Sequence, residues 1–146
     1  MNIEGVHVWL VLWKAYDALH AHAMESIESL DMCVSDFGIL ELLLHKGPAP
    51  INVLGQKLSL ASGSITAAID RLEARKLVVR TPSPTDRRAK VVELTREGRK
   101  LIEKAFGTHS QHMESVLAGL TKAERVELTA LLKKLGKFAV ASLRTA

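Results

Sequence analysis

Between residues 62 and 94 the sequence changes its period, and no other feature restricts the fold as strongly. SGSITAAIDRLEAR (62–75) is apolar at Ile65, Ile69 and Leu72, the i, i+4, i+7 spacing of one helix face. The other face holds Ser62, Gly63, Ser64, Thr66, Ala67, Asp70 and Arg71. After Lys76 the pattern becomes strand-like. LVVR (77–80) and VVEL (91–94) are β-branched runs joined by TPSPTDRRAK (81–90), which predicts a two-stranded hairpin with a proline-stiffened tip.

Helical patterns flank this unit on both sides. Over residues 6–30 a 3-4 stripe runs through Val6, Trp9, Trp13, Tyr16, His20, Ala23, Ile27 and Leu30, with a second line at Leu12, Ala15 and Leu19. Such a helix is about 36 Å long and outreaches a small domain, so another chain is expected to supply part of its cover. A second helix starts at Ser35, carries Phe37, Ile39, Leu40, Leu43 and Leu44, and stops at Lys46-Gly47-Pro48. Pro50 opens a third over residues 51–58, and a short turn leads to residue 62. Thr95 is a natural N-cap for a helix over residues 96–117, and Thr121 and Glu124 form a capping box for the last one. That helix sets Leu128, Leu131, Leu135, Phe138 and Ser142 on a heptad-like seam, flanked by Leu132 and Ala139.

This order of helix, helix, tight turn, polar-faced helix and hairpin predicts a mainly α winged helix-turn-helix with a small two-stranded β wing. A chain of 146 residues suits one domain with a real core. Residues 50–104 carry 12 Lys and Arg against 6 Asp and Glu, whereas the remaining 91 carry 8 against 10. The positive charge is therefore concentrated in the middle of the chain, which points to a polyanionic partner. The N-terminus lacks the pattern of a secretory signal, and no apolar run approaches the roughly 20 residues of a membrane span. One cysteine, Cys33, excludes an intramolecular disulfide. The expected location is the cytoplasm, away from any membrane.

A helix that enters a DNA major groove needs small outward residues so that its backbone can approach. Ser62, Ser64, Thr66 and Ala67 meet that need beside Gly63, with Arg71 as the long cation that reaches a base edge or phosphate. Gly and a Thr-Ala pair are poor choices for a merely solvated helix. The stiff loop would carry Arg87 and Arg88 to the minor groove, with Asp86 holding the Arg88 guanidinium in one rotamer. The plainer alternative for the loop is an ordinary Pro-Asp turn with solvated arginines.

Taken together, LGQKL (54–58), SGSITAAIDRLEAR (62–75), LVVR (77–80), DRR (86–88) and LTREGRK (94–100) resemble the MarR family of bacterial transcription regulators. The resemblance covers essentially the whole chain, and LASGSIT (60–66) is closest to the branch that responds to hydroquinone- and catechol-like phenols. It implies a six-helix subunit with a lobe over residues 31–104 and dimerisation helices over 1–30 and 105–146. It also implies a homodimer on a near-palindromic double-stranded operator, most simply a repressor. Asp86 and Arg88 become the wing pair, and Arg75 or Lys90 meets the DNA backbone. A small aromatic effector would enter between the dimer helices and the lobe, where Trp9, Trp13, Tyr16, His20, Cys33, Phe37, His45 and Phe106 are the candidates. Lys76 stands where the family usually has glycine, a departure at the C-cap of that helix that a left-handed lysine would accommodate at modest cost.

Other chemistry finds little support. Acidic neighbours at Asp31 and Asp36 argue against a reactive thiol, and Cys33 is expected to be buried and inert. His109 and His112 share a helix face, but no cysteine pair or dense ligand run completes a metal site, so no metal or cofactor is predicted. No phosphate-binding glycine loop or nucleophile motif suggests an enzyme. A non-specific architectural DNA binder would share the wing arginines but be basic throughout. A winged helix used only for protein contacts would ignore the loss of Arg88. On the DNA-binding reading, Arg88→Ala weakens binding to all sequences and flattens the salt dependence by about one unit, measured by titration at several salt concentrations.

Overall fold

The computed structural model describes residues 1–145. Among the described residues six α-helices and three short strands follow one another. They are α1 (Glu4–Glu28), α2 (Val34–Lys46), β1 (Ala49–Pro50), α3 (Ile51–Lys57), α4 (Ser62–Ala74), β2 (Val78–Pro82), β3 (Lys90–Leu94), α5 (Arg96–Val116) and α6 (Lys122–Thr145). A single 3-10 turn, Leu117–Gly119, precedes α6. The chain divides into two compact units, Met1–Met113 and Glu114–Ala146.

The core belongs to the first unit and is built around α4. Ile65, Ala68, Ile69 and Leu72 are buried there with Ile39, Leu40 and Leu43 of α2, Leu54 of α3, Val78 and Val92 of the sheet, and Ile102 of α5. Each large aliphatic side chain removed from water in this way contributes about 1.5–3 kcal/mol. Gly55 lets α3 and α4 close on each other, since a Cβ there would sit 3.3 Å from both Ile65 Cγ2 and the Leu60 carbonyl oxygen.

The hairpin pairs Val78 with Leu94 through Pro82 with Lys90. A third strand extends the expected two-stranded wing. Ala49 and Pro50 pair with Val92 and Val91, giving the antiparallel order β1-β3-β2. A two-residue strand ending in proline has no period to detect, and only the pairing reveals it. At the wing tip Ser83 N–H donates to Ala89 O at 2.9 Å. Asp86 Oδ1 accepts from the Arg88 backbone N–H at 2.9 Å. Asp86 thus shapes the turn through the main chain rather than holding the Arg88 guanidinium, as its spacing had suggested, because an Asp side chain reaches the amide two residues on more readily.

Lys76 does adopt the left-handed conformation, with φ +61°. The turn is tied by Leu77 N–H to Leu72 O at 2.9 Å and by Thr95 Oγ1, which donates to Lys76 O at 2.7 Å. The same Thr95 hydroxyl accepts from Gly98 N–H at 2.9 Å, capping α5. This join brings α5 so near β2 that a Cβ on Gly98 would overlap the Leu77 carbonyl. In the second unit the predicted capping box is present, with Thr121 N–H donating to Glu124 Oε2 at 2.7 Å and Glu124 N–H to Thr121 Oγ1 at 3.3 Å.

Gly98→Ala is expected to lower stability by about 2–4 kcal/mol. Gly107→Ala in the same helix, where an added methyl meets nothing within 4 Å, is expected to raise it by about 0.5–1 kcal/mol. Urea denaturation of the two variants checks the pair.

Candidate nucleic-acid interface

The inward apolar spacing of α4 determines what faces out. Ser62, Gly63, Ser64, Thr66, Ala67 and Asp70 are all exposed. Ala61 precedes the helix in extended conformation and no side chain caps it, so the first-turn N–H groups open outward beside the serine hydroxyls. Between α3 and α4 lies an open cleft of about 700 Å³, lined in part by Asn52, Gln56, Ser62 and Thr66. Asn52 and Gln56 belong to this surface although the sequence pattern did not single them out. Only the crossing of two short helices places them there.

The arginines separate into two groups. Arg71 Nη2 donates to Asp36 Oδ1 at 2.8 Å and lies 3.5 Å from Ser35 Oγ and 3.8 Å from Cys33 Sγ. The hydrogen bond that Arg71 donates to Asp36, and the negative charge of that carboxylate, raise the Arg71 pKa above its ordinary value. Asp36 is buried, so Arg71 is the counter-ion of a covered carboxylate as well as an outward cation. Arg80, which sequence reasoning passed over, donates from Nη2 to Asp70 Oδ1 at 2.6 Å and from Nη1 to Glu73 Oε1 at 2.7 Å. Its pKa is raised chiefly by the hydrogen bond to Asp70, against the effect of burial. By contrast, no ion pair among the described residues engages Arg75, Arg87, Arg88 or Lys90, and all four are exposed.

The candidate effector residues fall into two groups, with Cys33 apart from both. On α1, Trp9 and Trp13 stack with centroids 6.3 Å apart, and Tyr16 stacks on His20 at 5.3 Å. A cavity of about 280 Å³ beside them is lined by Leu10, Trp13, Lys14 and Asp17. At the α2 and α5 packing, Phe37 is buried edge-on to His109 at 5.1 Å, and His45 meets Phe106 at 4.6 Å. Cys33 joins neither group and is exposed, contrary to expectation. It stands at the opening of α2, where the chain has just left the core, with Sγ 3.4 Å from Ser35 Oγ. His109 Nδ1 lies 3.0 Å from Ser26 Oγ, and the His112 ring lies 5.6 Å from that of His22.

A MarR family sequence profile matches residues 34–90, and the Bacillus subtilis transcriptional regulator MhqR is 35% identical over 136 residues, 93% of this chain and 94% of that one. The chain belongs to the MarR family. The repressor NicR of Pseudomonas putida is 30% identical over 125 residues, covering 86% of this chain and 79% of its own. Two solved structures share the fold. One is BpsR of Bordetella bronchiseptica, whose DNA binding is regulated by 6-hydroxynicotinic acid; it is 30% identical with TM-score 0.73, covering 88% of this chain and 92% of its own. The other is a mutant MarR of E. coli in complex with operator DNA, 25% identical with TM-score 0.74, covering 91% and 96%. This MarR-family protein is a DNA-binding transcription regulator and not an enzyme. No helix among the described residues is long and apolar enough to cross a membrane.

Burial, and secondarily His112, lowers the His109 pKa below its ordinary 6.5, with Glu41 opposing. The folded state therefore holds His109 neutral where the unfolded chain already takes a proton. Its contribution to stability is complete above about pH 6.5 and is lost as the pH falls below that value. Denaturation midpoints measured at about pH 5.5 and 7.5 should differ less in His109→Gln than in the unsubstituted protein.

Proposed function

We propose that this MarR-family regulator is a cytoplasmic homodimer that binds a near-palindromic double-stranded operator sequence-specifically, as a repressor relieved by a small aromatic or phenolic ligand. The observation that carries the reading is the pairing of an exposed, small-residue face on α4 with unpaired wing cations. Ser62, Ser64, Thr66 and Ala67 take the major groove, where hydroxyls and close backbone approach read base edges. Arg87 and Arg88 take the minor groove, while Arg75 and Lys90 meet phosphates. Asp86 acts by folding the tip that presents the two arginines. Arg71 serves the α4 surface with its guanidinium held by Asp36.

Dimerisation is supported by apolar surface that each unit leaves uncovered. On α1, Val6, Trp9, Trp13 and Tyr16 are each more than half exposed, and on α6 the same holds for Val126, Leu131 and Phe138, the last at 75%. Apolar area of this extent on long helices is the mark of a protein interface. A second copy is the partner that also doubles α4 for a two-fold operator. The residues reserved for the lobe are 31–104, with 1–30 and 105–146 given to the dimer. The aromatic ligand reading draws on the rings of α1, α2 and α5 and on BpsR, a relative whose DNA binding is regulated by a hydroxylated aromatic acid.

Selection from a random duplex pool, followed by footprinting, tests the DNA reading. A protected near-palindrome with half-sites about one helical turn apart is expected. Diffuse protection lost with rising salt would favour an architectural binder instead. Phe138→Glu should shift the protein from dimer toward monomer in sedimentation and weaken operator binding with it.

A further inference from the structure

Arg80 faces Val92 across the β2–β3 ladder, two residues before Pro82 and the wing tip. Its two carboxylate partners are Asp70 and Glu73, four and seven residues beyond Thr66, so all three share one helix face. The cation is the covered member of the cluster, at 20% side-chain exposure against 63% for Asp70 and 41% for Glu73.

We infer that Arg80 is a positioning residue for DNA recognition: it clamps the wing to the recognition helix and discharges two carboxylates on the groove-facing stripe. The inference rests on α4 being that helix. Two arguments lead to it. A guanidinium that donates from both terminal nitrogens to two separate acids is directional, and fixes the angle between strand and helix as one ion pair cannot. Left unpaired, Asp70 and Glu73 would also repel the phosphates that the wing attracts. Arg80 differs in this from Arg87 and Arg88, which have no acidic partner among the described residues and remain available to DNA.

The test uses the full chain and fluorescence anisotropy on two duplexes of equal length, the one it selects from a random pool and a scrambled one. Asp70→Asn with Glu73→Gln removes two negative charges, so simple electrostatics predicts tighter binding everywhere. The clamp predicts the opposite on the selected duplex, a loss of about ten-fold, with scrambled binding unchanged or tighter. Arg80→Ala should weaken selected binding at least as much while leaving the salt slope unaltered. The triple variant should stay weak, and Arg80→Lys should recover only part, since an ammonium makes no planar fork. Thermal midpoints establish that each variant is folded, and the Asn/Gln pair decides the matter if Arg80→Ala is not.

Two results would overturn the inference. One is tighter binding of the selected duplex by the Asp70→Asn, Glu73→Gln variant with a salt slope steeper by about one, which places Arg80 on phosphate. The other is a triple variant that binds like the unsubstituted protein, which leaves charge neutralisation alone. If the unsubstituted protein selects no duplex, the sequence-specific reading fails instead. The clamp is then judged by amide exchange over residues 78–94 of the free protein. Exchange about ten-fold faster in the Asn/Gln variant supports it, and unchanged exchange overturns it.

Discussion

The burial of one face of α4 organises the first unit. Ile65, Ala68, Ile69 and Leu72 close the core from α2, α3, the sheet and α5, and the helix cannot rotate without exposing several of them. A rotation that exposed even two such aliphatic side chains would cost about 3–6 kcal/mol, a large part of the stability of a domain this size. The outward face of Ser62, Ser64, Thr66 and Ala67 is therefore presented in one orientation.

Charge around α4 is distributed unevenly. Two arginines close to it are engaged with acids, Arg71 with Asp36 and Arg80 with Asp70 and Glu73. Arg75, Arg87, Arg88 and Lys90, which no ion pair among the described residues engages, lie at the end of the helix and on the wing. Such a division ties α4 to its neighbours and leaves the positive charge of the wing unneutralised by acids. The Arg71 pair is the more demanding of the two, because removing the cation would strand a buried carboxylate.

The apolar stripe of α1 was legible as a helix face, and its length already called for a second chain. Its burial was not legible: Met24, Ile27 and Leu30 pack on the core, while Val6, Trp9, Trp13 and Tyr16 stay open in the single chain. The same periodicity serves both ends, so spacing alone does not distinguish internal from external cover. Cys33 shows a related limit. Its acidic neighbours suggested a quiet, buried thiol, but the opening of α2 turns it outward toward Arg71, a residue 38 positions away.

Local rules read several features directly. The helix faces, the hairpin, the Thr95 cap and the Thr121–Glu124 box all depend on residues within a few positions of one another, where steric and hydrogen-bonding preferences operate without the rest of the fold. The third strand, the cleft that draws in Asn52 and Gln56, and the partners of Arg71 and Arg80 depend on packing between separate elements. Sequence by itself determined which residues of α4 face outward and that the wing is cationic. Tertiary structure alone decided which arginines are paired, because an ion pair forms where two side chains meet in space, and burial of the core places them.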